Sequence, residues 1–332
     1  MGGCRGVLAY TAYFGDPCTA AGVKRHLFRR TPAAPRLLIA AKKQRNPVFS
    51  TQPHPPRGLA RILLRCYLKN INKLEFCRMN VQARPLLKEI EGYWTRRAES
   101  YSAFVNYEMA HENERRWMEV LTENLPEGEG LRVLDIGTGP GFFAIGLAKR
   151  GYAVTAVDYT QAMLDEAREN AGEYRDAIDF YRMDAHSLSF ADNSFDAIVT
   201  RNLTWNLERP GDAYRDWHRV LRPGGVLLNF DAGWYSYLFD AEKAEGYRED
   251  RERAAKLGVE DFNAYSEGYL MEEISRKLVF SRMKRPQADI WLLEDAGFSS
   301  VSVDTQIGER VWDEAEKVNY VSMPLFLLRA VK

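Results

Sequence analysis

The sequence predicts an α/β fold, in which a parallel sheet is covered by helices on both faces. From residue 131 onward, short apolar runs alternate with helical segments of about 10–15 residues, as in βαβ units. The runs at 133–136 and 226–230 are nearly all apolar, as expected for strands that are buried on both faces. A third observation is the glycine cluster in "VLDIGTGPGF" (133–142), which marks a place where a ligand comes close to the backbone.

The amino-terminal elements follow from periodicity and from the residues that end each segment. They are helix 81–124, strand 131–136, helix 141–150, strand 153–158 and helix 161–171. Gly151 lies where a glycine commonly closes a helix. Thr160 lies where a hydroxyl side chain commonly caps the next helix.

The carboxyl-terminal elements continue the same alternation. They are strand 178–183, strand 195–200, helix 210–221, strand 226–231, helix 286–296, strand 299–305 and a last apolar strand at 322–331. Pro210 suits the first position of a helix, and "RPGG" at 222–225 predicts a turn. Residues 234–285 form a charged, aromatic, helix-like insertion of about 50 residues, and insertions of this length at a ligand edge usually act as lids or pockets.

The chain joins two different kinds of polypeptide near Met79. It has 332 residues and a formal net charge of zero, yet residues 1–79 contain 15 Lys and Arg against two acidic residues. The remainder contains 31 basic and 44 acidic residues, and all four cysteines lie before residue 80. We therefore divide the chain into a basic leader, 1–79, and a body, 80–332, which starts with a helical cap at 80–125.

The leader has three interpretations, and in each of them we expect little stable structure before about residue 80. It is a basic arm for nucleic acid or membrane, an Arg-rich targeting segment, or translated upstream sequence with Met79 as the true start. The body, in contrast, suits a cytoplasmic enzyme, because it has no cysteine and therefore no disulfide or thiolate metal site. Its three histidines do not form a metal constellation, and its net negative charge opposes binding to nucleic acid. No apolar run approaches the roughly 18 residues that cross a bilayer.

Acidic residues follow the ends of the first three strands, at the edge where such sheets bind ligands. Asp135 precedes the glycines Gly137, Gly139 and Gly141, which allow a ligand to lie against bare backbone with its amide N–H groups exposed. Asp158 ends the second strand, where a carboxylate can accept hydrogen bonds from ribose hydroxyls. The pattern predicts a nucleotide-like ligand.

Four stretches give the chain a family resemblance: "VLDIGTGPG", "VDYTQAMLDEA", "MDAHSLSFADNSFDAIVTRN" and "VLRPGGVLLNF". The body resembles class I S-adenosylmethionine (SAM) dependent methyltransferases of the small-molecule type, mainly over residues 90–230. "LRPGG" together with "SFDAIV" separates it from nicotinamide dehydrogenases. The resemblance implies a seven-stranded, mostly parallel Rossmann-like sheet with an antiparallel last strand, and SAM as the cofactor across the strand ends.

Carried over residue by residue, the resemblance implies a cofactor set that runs from the methionine part to the adenine and then to the donor sulfonium. The set comprises Asp135, Gly137, Thr138, Gly139 and Gly141 at the loop, Asp158 at the ribose, Tyr159 and Met163 beside the adenine, Asp184 and Ala185 at the adenine edge, and Arg201 and Asn202 near the sulfonium.

The start of the cap resembles a segment that closes over SAM. Tyr93, Arg97 and Tyr101 share one helical face, and Arg97 suits the SAM carboxylate. The alternative is a solvated helix whose tyrosines pack on the core.

The acceptor side rests on fewer signals. Trp205 offers either a ring face to a sulfonium or plain core packing, and Trp234 and Tyr235 are candidates for the acceptor pocket. A general base is needed only for a protonated acceptor, and Asp231 and His186 are the candidates. The sequence thus predicts methyl transfer to a small molecule under a helical lid, with neither nucleic acid nor membrane as partner. The alternatives are a methyltransferase acting on RNA or protein, which requires the leader, and a non-catalytic SAM-binding regulator.

Overall fold

A computed structural model describes residues 83–264 and 267–332. The leader at 1–79, and with it the choice among its three interpretations, lies outside the described residues.

The body contains one seven-stranded sheet with the order β3-β2-β1-β4-β5-β7-β6. The strands are β1 (Arg132–Ile136), β2 (Ala153–Asp158), β3 (Ile178–Arg182), β4 (Phe195–Arg201), β5 (Leu221–Asp231), β6 (Ser300–Asp304) and β7 (Phe326–Val331). The pairs from β3 to β5 are parallel, whereas β7 is antiparallel to both β5 and β6. The predicted fold class is confirmed, including the antiparallel last strand.

Helices surround the sheet. They are α1 (Ala83–Ala110), α2 (Glu112–Asn124), α3 (Phe142–Ala148), α4 (Gln161–Asn170), α5 (Pro210–Val220), α6 (Ala241–Leu257), α7 (Gly268–Ser275), α8 (Gln287–Ala296), α9 (Gly308–Val311) and α10 (Glu314–Asn319). The helical stretch predicted at 81–124 is two helices, because the chain leaves helical geometry at His111. The insertion at 234–285 contains α6 and α7, while α9 and α10 occupy a stretch to which the sequence assigned no element.

The "RPGG" turn predicted at 222–225 is part of β5 instead. Leu221 pairs with Phe195 and Val226 with Ala197, so the intervening residues bulge out of an otherwise continuous strand. Gly224 adopts φ 78° in this bulge, a conformation that glycine allows. Pro-Gly-Gly predicts a turn locally, and only the pairing with β4 shows that the strand starts before it.

Alternate side chains of the strands pack on opposite faces, as a pleated strand requires. On one face Val133 and Phe230 pack with Trp117 of α2. On the other, Leu134 and Leu227 pack with α5 and α8. A smaller third cluster joins α1 and α7 to the segment after β4. The strand order reverses between β1 and β4, so a crevice opens at their carboxyl ends.

Candidate functional site

A cleft of about 1070 Å³, counted with the open solvent at its mouth, lies at the carboxyl ends of β1, β2 and β4. Of the residues assigned to the cofactor, the following line it: Tyr101, Asp135, Gly137, Thr138, Gly139, Asp158, Tyr159, Met163, Asp184, Ala185, Arg201 and Asn202. Tyr93, Arg97 and Gly141 do not line it in the described structure.

The loop after β1 has the backbone that its glycines predict. Gly137 and Gly139 have φ 67° and 54°, and Gly141, at the N-cap of α3, has φ 95°. A Cβ on Gly137 would lie 2.7 Å from Leu203 Cδ1, whereas a Cβ on Gly139 would meet only Tyr101 at 3.7 Å. The loop therefore needs glycine at 137 both for its conformation and for a close approach to the segment after β4.

The amide groups of this loop are directed differently from the expectation. The N–H groups of Gly137 and Thr138 donate to Val157 O at 2.8 and 3.0 Å, and that of Gly139 donates to Asp158 Oδ2 at 3.0 Å. These three donors bind the loop to β2 rather than pointing at a ligand, because the tight turn folds back onto the neighbouring strand. The glycine loop therefore leaves room for a ligand in the cleft, but these three N–H groups are not available to bind it.

Asp158 occupies the centre of the cleft wall. Its Oδ1 accepts from Thr160 N at 2.8 Å, in addition to the Gly139 bond to Oδ2. Burial raises the pKa of Asp158, against the effect of these backbone donors. Each carboxylate oxygen retains acceptor capacity, so the group is fixed in orientation and can still receive ligand hydroxyls.

Asp135 accepts hydrogen bonds from the loop and from the helix that follows it. Its Oδ2 accepts from Thr138 Oγ1 at 2.7 Å and from Ala144 N, in the first turn of α3, at 3.1 Å. Burial raises the pKa of Asp135 to about 7. This carboxyl thus joins β1, the loop and α3 into one rigid unit at the cleft floor.

Asp184 and His186 form a pair at the far end of the cleft. Asp184 Oδ1 contacts His186 Nδ1 at 2.6 Å and accepts from His186 N at 2.9 Å, while His186 Nε2 accepts from Arg209 N at 3.3 Å. Burial opposes ionisation of Asp184, but the His186 bonds outweigh it and lower the pKa of Asp184. Both ring nitrogens of His186 are therefore occupied, and a base role for this side chain requires that one of these bonds break.

Arg201 attaches α1 to the end of β4. Its Nη1 and Nη2 donate to the two carboxylate oxygens of Glu108 at 3.0 and 2.7 Å, and both side chains are under 10% exposed. The guanidinium also lies 4.0 Å from the centroid of the Phe142 ring. Burial alone would lower the pKa of Arg201, but the Glu108 carboxylate raises it. The charge of Arg201 is thus neutralised from within the fold.

The face of α1 that meets the cleft is rotated from the predicted one. Leu87, Ile90, Trp94 and Tyr101 line the cleft, a spacing of three, four and seven residues. Tyr93 instead packs in the third cluster with Met271 of α7. Nothing in the local sequence fixes this rotation, because apolar residues occur on both faces of α1.

Four residues that the sequence assigned to the acceptor side do not line the cleft: Trp205, Asp231, Trp234 and Tyr235. Asp231 is fully buried, accepts from Trp205 N at 2.8 Å and pairs with Arg285 Nη1 at 3.1 Å. Trp205 Nε1 donates to the carbonyl of Asn202 at 2.8 Å, and its ring lies 5.0 Å from that of Tyr235. Trp234 packs against Tyr320.

In the part of the chain that the structure describes, none of these residues, and no residue of the insertion 234–285, lines this cleft. Leu203, Asn206, Leu207 and Glu208 line it instead. Their position directly after β4 is the only sequence signal that could have found them. Within residues 83–264 and 267–332, no group of three or more His, Cys, Asp or Glu is placed to hold a metal ion, and no helix is long and apolar enough to cross a membrane.

A family model described as a methyltransferase domain matches residues 134–229, which include the glycine loop, Asp158, Asp184 and Arg201. Over these residues the chain matches a methyltransferase domain. This domain extends from β1 to β5, and its sheet order places the matched residues around the cleft.

The chain also matches curated proteins. The ubiquinone/menaquinone biosynthesis C-methyltransferase UbiE of Roseobacter denitrificans is 34% identical over 143 residues, which are 42% of this chain and 57% of that protein. The demethylmenaquinone methyltransferase of Renibacterium salmoninarum is 36% identical over 114 residues, 34% of this chain and 46% of that protein. The chain thus spans about half the length of the relatives it matches.

Among solved structures, phosphoethanolamine N-methyltransferase 2 of Haemonchus contortus in complex with S-adenosyl-L-methionine has a TM-score of 0.46. It is 20% identical, and the match covers 65% of this chain and 51% of that chain.

Proposed function

We propose that this protein is a SAM-dependent methyltransferase that acts on a small, largely apolar acceptor. The observation that carries the proposal is Asp158, held by Gly139 N and Thr160 N on the wall of a cleft that joins the matched loop to the end of β4. When bound, SAM supplies a methyl group already activated on a sulfonium. The protein's part is to bind, orient and enclose.

The described residues support a binding direction for the cofactor. Asp158 receives the ribose hydroxyls, and Asp184, whose Oδ2 is not used by His186, receives the adenine amino group. Met163 and Tyr159 flank the base, and the loop at 137–139 leaves room for the methionine part beneath Tyr101.

The acceptor side is apolar. Leu87, Ile90 and Trp94 of α1 line the cleft together with Leu203 and Leu207. These side chains exclude water and hold an apolar acceptor against the methyl group, and alignment of this kind supplies several kcal/mol of the rate enhancement. The names of the curated relatives contain ubiquinone, menaquinone or demethylmenaquinone, which agrees with an apolar acceptor. The lid in this proposal is α1, from the cap assigned at 80–125, rather than the insertion.

The test is titration with SAM by calorimetry, followed by transfer of labelled methyl into three fractions: small metabolites, total RNA and total protein. We expect saturable SAM binding and label in the small-molecule fraction alone. Label in RNA or protein would favour the macromolecular alternative. Binding without any transfer would favour a non-catalytic regulator, and the absence of SAM binding would refute the proposal.

A further inference from the structure

Five carboxyl side chains line the cleft, and four of them are engaged. Asp135, Asp158 and Asp184 have the partners given above, and Glu91 of α1 receives Arg182 Nη2 at 2.6 Å. Glu208 differs, since within residues 83–264 and 267–332 its carboxylate has neither a hydrogen bond nor an ion pair.

Glu208 follows directly on the apolar wall of the acceptor side. It is partly buried and comes after Leu203 and Leu207, which line the same cleft. Burial raises the pKa of Glu208, and the charge of Asp184 acts in the same direction, whereas His186 and Arg209 act against it. A partly desolvated carboxylate without a partner is a strong acceptor for a hydrogen-bond donor that enters the cleft.

The same segment carries a second group that lacks a partner. Asn206 is only 7% exposed and lines the cleft, and its buried Oδ1 accepts no hydrogen bond from any described residue. Buried acceptors are rarely left unsatisfied without a functional reason. A buried acceptor without a partner and a partly buried carboxylate without a protein partner, two residues apart, indicate a ligand that donates.

We propose that Glu208 accepts the proton of the methyl acceptor, and that the acceptor is an apolar molecule whose reacting oxygen or nitrogen carries a weakly acidic hydrogen. This inference rests on the proposed function. The cofactor does not account for Glu208, because Asp158 and Asp184 already supply acceptors for its ribose and its adenine. Glu208 is the carboxylate left for the second ligand.

The step balances. The acceptor atom X forms a bond to the methyl carbon, and the carbon–sulfur bond breaks with its electron pair staying on sulfur, which loses its positive charge. The X–H proton passes to the Glu208 carboxylate. The products are the methylated acceptor, S-adenosylhomocysteine (SAH) and a neutral Glu208, which returns its proton to solvent after release.

The experiment compares Glu208→Gln with the full-length wild type and with Glu129→Gln, an exposed glutamate of a loop remote from the cleft. SAH affinity is measured by calorimetry. Initial rates are measured over a range of pH with a dihydroxynaphthalene, with an alkylaniline and with the active metabolite fraction. The first two probes distinguish an aryl hydroxyl from an aryl amine.

We expect Glu208→Gln to keep the SAH affinity of the wild type and to lose about 100-fold in kcat on one of the probes or on the active fraction. The wild-type rate rises with pH as Glu208 loses its proton, and this rise disappears in the variant. Glu208→Asp restores part of the rate, and Glu129→Gln behaves as the wild type.

Two results overturn the inference while leaving the proposed function intact. One is an unchanged kcat and pH profile in Glu208→Gln. The other is a loss of SAH affinity that matches the loss of rate, which would assign Glu208 to the cofactor. A wild type that binds SAM but methylates nothing in any arm removes both proposals together.

Discussion

At the scale of single residues, Asp158 has a structural role, to which the proposed function adds a binding role. Its two oxygens fix the backbone at Gly139 and Thr160, and the same oxygens face the cleft. Loss of the carboxylate therefore removes a ligand contact and releases two buried donors at once.

We predict that Asp158→Ala lowers SAM affinity at least about tenfold, because two ribose contacts are lost. Calorimetry measures the change. The matched control is Asp165→Ala, an exposed carboxylate on the neighbouring helix α4, which should bind SAM as the wild type does. Equal SAM affinity in both variants would show that Asp158 does not bind the ribose, and would contradict the proposed binding direction.

Among the described glycines with a positive φ, Gly137 has the closest neighbour, since a Cβ there would lie 2.7 Å from Leu203 Cδ1. We predict that Gly137→Ala lowers the free energy of unfolding by about 2–4 kcal/mol, since a methyl group would overlap Leu203 in a left-handed backbone. Gly151→Ala is the control, because it has φ 83° with nothing within 4 Å and therefore tests backbone strain alone. Urea denaturation of both variants measures the difference, and equal losses would show that the contact with Leu203 relaxes freely.

At the scale of elements, α10 carries a buried ionisable group, Glu316. It interacts electrostatically with the Glu108–Arg201 pair that joins α1 to β4. Glu316 closes the capping box of α10 by accepting from Asp313 N at 2.9 Å, and its carboxyl also contacts Asn113 of α2. Burial raises the pKa of Glu316 to about 8, and the negative charge of Glu108 adds to the effect. The folded state therefore holds a proton there that the unfolded state releases near pH 4.5.

The sign of the pH dependence follows from this. Stability from protonated Glu316 is present below pH 4.5 and decreases as the pH rises towards about 8. We predict that Glu316→Gln, which preserves a capping-box acceptor, is more stable than the wild type at pH 8 by on the order of 1 kcal/mol. Denaturation curves recorded between about pH 5 and about pH 8.5, a range that covers the titration of Glu316, measure this difference in stability. The control is Glu314→Gln, at an exposed position of the same helix. A difference between variant and wild type that does not change with pH would contradict the prediction.

At the scale of the whole molecule, the described body contains every residue on which the proposed site is built. We predict that deletion of residues 1–78 leaves SAM affinity and methyl transfer to small molecules unchanged. The measurement is the same titration and transfer assay on both chains. Loss of activity on deletion would favour an interpretation in which the basic leader binds a macromolecular acceptor.

Local sequence was sufficient for the sheet, the glycine loop and Asp158, because strand burial, turn chemistry and a carboxylate at a strand end are all local. It was insufficient for the face of α1 and for Asp231. Whether Trp94 or Tyr93 faces the cleft depends on how α1 packs against α4 and α7. The burial of Asp231 depends on its ion pair with Arg285, 54 residues later. Such choices are made by tertiary contacts, which a single sequence does not display.

Two of the ion pairs that α1 forms differ in their access to water. The bond from Arg182 to Glu91 lies near the amino-terminal end, with side chains 47% and 26% exposed, whereas that from Arg201 to Glu108 lies near the other end and is buried. Dissolved salt screens the first pair and scarcely reaches the second. Rising ionic strength therefore weakens the contact between Glu91 and the end of β3, while the contact between Glu108 and the end of β4 persists.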